Sequence, residues 1–456
     1  MWYNFILVLS IIKYSVNVFN VGQCIKCSVN ALFIFGESQM KRIKQKSIVV
    51  EMFLTTFIKW VLISILIGII GGAVGTLFHI CVEKVTTFRF AHSYVLWFLP
   101  FGGIAIAAIC KLSGLGSKGT DYVLHSVYTD GKVPATMAPV IFVSTVITHL
   151  FGGSAGREGA ALQIGGSIGS QVGRVLKLNE NDMQIAIMCG MSTVFAALFG
   201  TPLTAAFFAI EVASIGIIHY SGFIPCIVSA FTAVGISSRF GAHPVYFILS
   251  ATPDMSAFNM VKTGVLAALC AVLSIVFCFT MKETGKILKK IFKNDYMRVA
   301  AGGALIIALS LICKTGDYNG AGMEVIEKAI SGQAIAYAFA LKIVFTAITM
   351  GSGYKGGEII PTFFIGATFG CIAGGLLGLN TGFSAAIGMI AMFCGVVNCP
   401  VASIMLSIEV FGGRGVGFFA LACAISFMLS GYFSLYKSQK IIYSKLRNKV
   451  ININAH

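Results

Sequence analysis

Charge is scarce in this chain. Only 11% of its 456 residues are Asp, Glu, Lys or Arg, against 57% that are hydrophobic, and the mean hydropathy is +0.88. A water-soluble domain keeps roughly a quarter of its residues charged to solvate its surface. That supply is missing here, which makes lipid the solvent. Histidine is rare as well, with 7 residues. No HExxH pattern and no nucleophile–base pair lies in the apolar segments, so an intramembrane enzyme lacks its machinery. His149, near the most informative motif, reads as a buried helix-end residue. The 13 cysteines include one CxxC pair, Cys24-Ile25-Lys26-Cys27, with no histidine cluster beside it. A metal site there has weak support, and cysteines in apolar runs, such as Cys110, Cys189 and Cys371, read as small packing residues.

Glycine is plentiful, with 51 residues. Small residues let helix backbones approach closely inside a bilayer, as in the run Gly68-Ile69-Ile70-Gly71-Gly72-Ala73-Val74-Gly75. The net charge of +16 could suggest nucleic acid, but the position of the charge speaks against it. Basic residues gather in Lys41-Arg42-Ile43-Lys44-Gln45-Lys46, between Lys282 and Arg298, and between Lys437 and Lys449. Short basic segments flanking apolar spans mark cytoplasmic loops. Both termini and the central loop are therefore expected on the cytoplasmic side, with no nucleic-acid partner.

From Met52 onward apolar segments follow one another to about residue 435, and several are shorter than the roughly 20 residues that span a bilayer. They are broken at Gly200-Thr201-Pro202, at Cys399-Pro400 and between Gly351 and Pro361. Broken helices at membrane depth survive only where protein or a watery cavity satisfies the freed backbone groups. The fold class expected is all-α and polytopic, with broken and re-entrant helices.

A repeat organises the chain. Thr201-Pro202-Leu203-Thr204 through Ile210-Glu211-Val212 matches Cys399-Pro400-Val401-Ala402 through Ile408-Glu409-Val410 at an offset of 198 residues. Gly153-Ser154 matches Gly351-Ser352 at the same offset, and a three-residue insertion then sets Gly156-Arg157-Glu158-Gly159 opposite Gly357-Glu358-Ile359-Ile360. Two halves follow, 52–240 and 258–436, joined by a linker at 241–257. They are preceded by an uncertain segment, 1–51, whose first twenty residues resist assignment, and followed by a basic tail, 437–456. With some segments re-entrant, each half has an odd helix count, so the halves insert with opposite orientation. Inverted repeats place substrate near the midplane, where half-helix N-termini meet.

The densest signal is Gly152-Gly153-Ser154-Ala155-Gly156-Arg157-Glu158-Gly159. Its glycines open a helix at membrane depth, and a helix N-terminus offers unpaired N–H groups to an anion. Glu158 stands in that place, so its carboxylate competes with the anion. A competitor that withdraws when protonated couples anion movement to protons. An Arg157–Glu158 structural ion pair is the plainer reading, but intramembrane ionisable groups default to function.

Gly156-Arg157-Glu158-Gly159 resembles the gating-glutamate motif of CLC anion channels and antiporters. Gly116-Ser117-Lys118-Gly119-Thr120-Asp121 resembles their first anion-binding loop, and Gly357-Glu358-Ile359-Ile360-Pro361 the matching loop of the second half. The resemblance covers about residues 52–445. It implies a CLC-type inverted-repeat fold, a homodimer with one pathway per subunit, and no cofactor. It also implies a gate and proton acceptor at Glu158. The anion site it implies draws on Gly116, Ser117, Arg157, Gly159, Ile359 and Ile360, with a tyrosine capping the inner end, Tyr436 before Tyr443.

Departures bear on the ion. Val212 stands where chloride/proton antiporters of the family usually carry an internal glutamate, and Ala160 replaces the usual proline after the gating motif. Glu358 replaces an uncharged residue, as in the fluoride-exporting branch, yet Ile360 stands where that branch often has threonine, and Ser117 suits the chloride branch. Glu358 serves as a second proton site or pairs with Lys355. The expectation is an anion transporter of the cell membrane moving chloride or fluoride in exchange for protons, with a passive chloride channel on the same scaffold as the alternative.

Overall fold

The computed structural model describes residues 21–116, 118–129, 132–242, 244–249 and 251–456; for 21–48 it describes the backbone alone. Residues 1–20 and Ser117 thus lie outside the described residues, as do the side chains of Cys24 and Cys27. The chain divides into two units, Met1–Trp60 and Val61–His456. In the first, the described residues are helical. The first helix is α1 (Val21–Ala91).

The second unit carries the rest in order: α2 (Leu99–Leu112), α3 (Thr120–Ser126), α4 (Met137–Leu150), α5 (Glu158–Val175), α6 (Glu180–Phe199), α7 (Pro202–Glu211), α8 (Phe223–Arg239), α9 (Ala257–Ile291), α10 (Asp295–Cys313), α11 (Met323–Ile330), α12 (Ala338–Ser352), α13 (Ile359–Leu376), α14 (Thr381–Val397), α15 (Pro400–Phe411) and α16 (Val416–Leu429). Among the described residues, α1 to α8 recur in type and order as α9 to α16. Each half therefore has eight helices rather than an odd number. The extra members, α3, α7, α11 and α15, are 7 to 12 residues long and too short to cross a bilayer.

Among the described residues seven helical stretches are long and apolar enough to cross a membrane, and large apolar side chains such as Phe101, Ile312 and Phe258 are well exposed on them. Together with the sparse charge, this is an integral membrane protein. The three-residue difference between halves already separates α4 from α12. The corresponding left-handed glycines that end these helices are thus Gly152 (φ +86°) and Gly353 (φ +113°), not Gly153 and Gly351. It is recovered in α14, which is three residues shorter than α6.

Glycine packs the interior. A Cβ on Gly165 or Gly190 would strike the other's carbonyl oxygen where α5 crosses α6, and Gly366 and Gly388 repeat the arrangement between α13 and α14. The tail, expected only as basic sequence, folds back: β2 (Lys440–Tyr443) pairs in parallel with β1 (Ser214–Ile215) and antiparallel with β3 (Val450–Asn454). Ile215, Ile441 and Ala455 form its small core. Two-residue β1 is too short to show an alternation in sequence.

The two repeated glutamates cap each other's half. The Glu211 carboxylate accepts from Val401 N (3.2 Å) and Ala402 N (2.9 Å) at the start of α15. Glu409 accepts from Leu203 N and Thr204 N, both 2.8 Å, and Thr204 Oγ1 (2.6 Å) at the start of α7. Each satisfies amides that a helix start leaves open, at a depth where water is scarce. A Glu211→Leu variant would strand the Val401 and Ala402 amides at about 1–3 kcal/mol per unsatisfied group. Thermal unfolding in detergent should show a lowered Tm; an unchanged Tm would contradict the capping role.

Candidate functional site

Two loops bring two helix starts face to face. After α4, Gly152 turns the chain. Gly153 N donates to Thr148 O (2.9 Å), while Ser154 N donates to Thr349 Oγ1 on α12 (3.1 Å) and its hydroxyl meets Thr346 Oγ1 at 3.2 Å. After α12, Gly353 turns the chain, and the Tyr354 hydroxyl donates to Leu99 O (2.9 Å) and Val299 O (3.1 Å). The loops then meet at one symmetric point. Gly156 N donates to Gly357 O (2.7 Å) and Gly357 N to Gly156 O (2.8 Å), an isolated antiparallel bridge between equivalent positions of the halves. Immediately beyond it α5 and α13 begin, each 18 residues long. Their positive ends converge.

Glu158 sits at that convergence with no exposed surface. Its Oε2 accepts from Arg157 N (3.0 Å) and, across the halves, from Ile360 N (3.4 Å). Its Oε1 is buried without a hydrogen-bond partner. One oxygen thus occupies the amides, and the other is left wanting. The Arg157–Glu158 bond uses the arginine backbone. The arginine side chain lines a cavity of about 450 Å³ together with His79, Arg89, His149 and Ile360.

The remaining expected residues gather unevenly. Glu358 is the N-cap of α13 without a side-chain capping bond, and its Oε2 lies 3.4 Å from where a Cβ on Gly159 would stand. Lys355 does not pair with it; its Nζ reaches the Lys118 carbonyl at 3.5 Å. Ile359 opens α13 and is fully buried. Gly116 takes a left-handed conformation (φ +53°) in the loop before α3. That loop is tied to α5 through Thr120, whose hydroxyl reaches Gly159 O (3.4 Å) and accepts from Gln163 Nε2 (3.0 Å). The Tyr436 hydroxyl is buried, has no hydrogen-bond partner, and lies within electrostatic range of Glu358, Cys399, Asp121 and Glu158. Tyr443 stands apart on β2, 41% exposed. Among the described residues no group of three metal-ligating side chains occurs.

Sequence reasoning passed over three features. Lys342 is wholly buried on α12, donating to Tyr318 O (3.1 Å) and Gly320 O (2.7 Å) with its ammonium 5.1 Å from the Phe364 ring centre. Arg89 is buried and donates to His149 O (3.0 Å). A lone lysine inside the apolar run 334–350 was a readable signal. The reciprocal Glu211 and Glu409 caps were the third.

Half-helices from the two halves converge on a buried carboxylate inside an integral membrane protein. The chain belongs to the CLC family. The family model described as voltage gated chloride channel matches residues 113–431. A chloride/fluoride channel protein of Pseudomonas syringae pv. tomato is 31% identical over 395 residues, which is 85% of this chain and 87% of the relative. A solved CLC-type fluoride/proton antiporter is 32% identical with a TM-score of 0.81, over 84% of this chain and 98% of that one. A slow cyanobacterial chloride/proton antiporter shares the fold at 19% identity and TM-score 0.69, over 81% of this chain and 94% of that one.

The Gly156–Gly357 contact should tolerate no side chain. A Cβ on Gly357 would strike the Gly159 amide and crowd Glu158 N at 3.0 Å. Misplacements of about 1 Å at a reacting site can cost on the order of a hundredfold in rate. Gly357→Ala, purified as a monodisperse protein, should lose anion flux in liposomes by at least about tenfold. Normal flux would show that the close approach is dispensable.

Proposed function

We propose that this chain exchanges fluoride, and more weakly chloride, for protons across the cell membrane, with Glu158 as the moving group. One observation carries the reading: Glu158 Oε2 sits on amides of both halves while Oε1 has no partner. A halide reaching Arg157 N and Ile360 N displaces the carboxylate. A proton taken up on Glu158 neutralises it, and the neutral acid no longer competes for the amides. When the proton leaves to the opposite side, the carboxylate returns and expels the anion.

Fluoride is favoured by Glu358 beside Gly159, where a protonated carboxyl donates an O–H to a strong acceptor, and by the relatives that handle fluoride. Ile360 in place of threonine loses a hydroxyl but keeps the backbone amide that makes the contact. Anion coordination draws further on Gly116, Ser117, Gly159, Ile359 and the Tyr436 hydroxyl. Two such chains assemble as a homodimer, each with its own pathway, and the basic segments hold both termini in the cytoplasm.

Reconstituted protein given a fluoride gradient should drive protons uphill, with slower exchange for chloride. Glu158→Gln should abolish proton movement and flatten the pH dependence of anion flux. Fluoride flux with no proton movement in the wild type would make the protein a channel instead.

A further inference from the structure

Beyond the last helix the chain makes a tight polar turn, Ser434-Leu435-Tyr436-Lys437-Ser438-Gln439, and one side chain in it joins both halves. Gln439 is fully buried. Its Nε2 donates to Val212 O (2.9 Å), the cap residue at the end of α7, and to Val397 O (2.8 Å), the last residue of α14. Its Oε1 accepts from Ser434 Oγ (2.8 Å) and Asn398 Nδ2 (3.3 Å). The amide's two donors and two lone pairs are all used. A side chain so saturated inside protein has one orientation and holds what it touches.

Through the Ser434 hydroxyl the side chain reaches the backbone of Tyr436. Tyr436 N donates to Ser434 Oγ (3.1 Å), and Gln439 N donates to Tyr436 O (3.2 Å). On the other flank Ser438 N and Oγ both donate to Asp121 Oδ1 at 2.9 Å, on the helix that follows the Gly116–Thr120 loop. The phenol itself has no partner. The backbone on either side of the ring is held through Ser434 by Gln439 and through Ser438 by Asp121.

We propose that Gln439 is a positioning residue that holds the Tyr436 hydroxyl against the anion path, and so sets how tightly anion and proton movements are coupled. The inference rests on the antiporter reading above and adds to it a group that touches neither ion.

The test compares Gln439→Met, equal in length but without hydrogen bonds, with wild type in liposomes, recording protons and anions together and the fluoride/chloride flux ratio. The expected result is at least a threefold fall in protons moved per anion, with a parallel fall in the flux ratio. Tyr436→Ala should lower both as well, and adding Gln439→Met to it should change neither further. Unchanged ratios in folded Gln439→Met overturn the proposal, and so does an undiminished effect in the Tyr436→Ala background. If Gln439→Met fails to fold, Ser438→Ala, which removes one bond to Asp121, decides by the same readouts. A wild type that moves anions without protons sinks the antiporter reading, and the fluoride/chloride ratio alone then judges Gln439.

Discussion

The structure depends on two glycine backbones, Gly156 and Gly357, hydrogen-bonded to each other across the two halves. That contact draws the first turns of α5 and α13 together and forbids a side chain between them. Backbone amides from both helices then face one spot. Partial charges hold an anion without the trap that a buried lysine would set, and the same amides will take a carboxylate. A site made this way can release what it binds.

Among the described residues four helix starts meet an acid, and the chain treats them in two ways. Starts of α7 and α15 are closed by Glu409 and Glu211, each reaching from the opposite half with well-formed hydrogen bonds. Starts of α5 and α13 carry their own acids, Glu158 and Glu358, and these are less well satisfied: Glu158 keeps one orphaned oxygen and Glu358 makes no side-chain cap. Residue type is the same in all four places. The difference lies in pairing. Glu211 and Glu409 spend their carboxylates on the opposite half, whereas Glu158 keeps an oxygen without a partner.

Much of this was legible in the sequence, for physical reasons. Scarce charge and broken apolar runs declared the solvent and the class. The Glu211 and Glu409 segments showed the duplication because helix starts with proline and buried acids leave a recognisable pattern. Glu158 stood out as an acid among glycines. Less legible were contacts made by backbone at long range: the Gly156–Gly357 bridge joins residues with no side chain to signal it, and the parallel pairing of β1 with β2 involves only Ser214 and Ile215 on one side. Gln439 looked like one polar residue in a basic tail. Its role appears only when Val212 and Val397, far apart in sequence, are seen to share its amide.

The central claim is that anion and the Glu158 side chain compete for the same amides. Equilibrium binding of fluoride and chloride to purified protein, wild type against Glu158→Ala, tests it directly. Removing the competitor should tighten halide binding several-fold while Tyr443→Phe, remote on β2, leaves it unchanged. Equal affinity in wild type and Glu158→Ala would mean that the anion binds elsewhere.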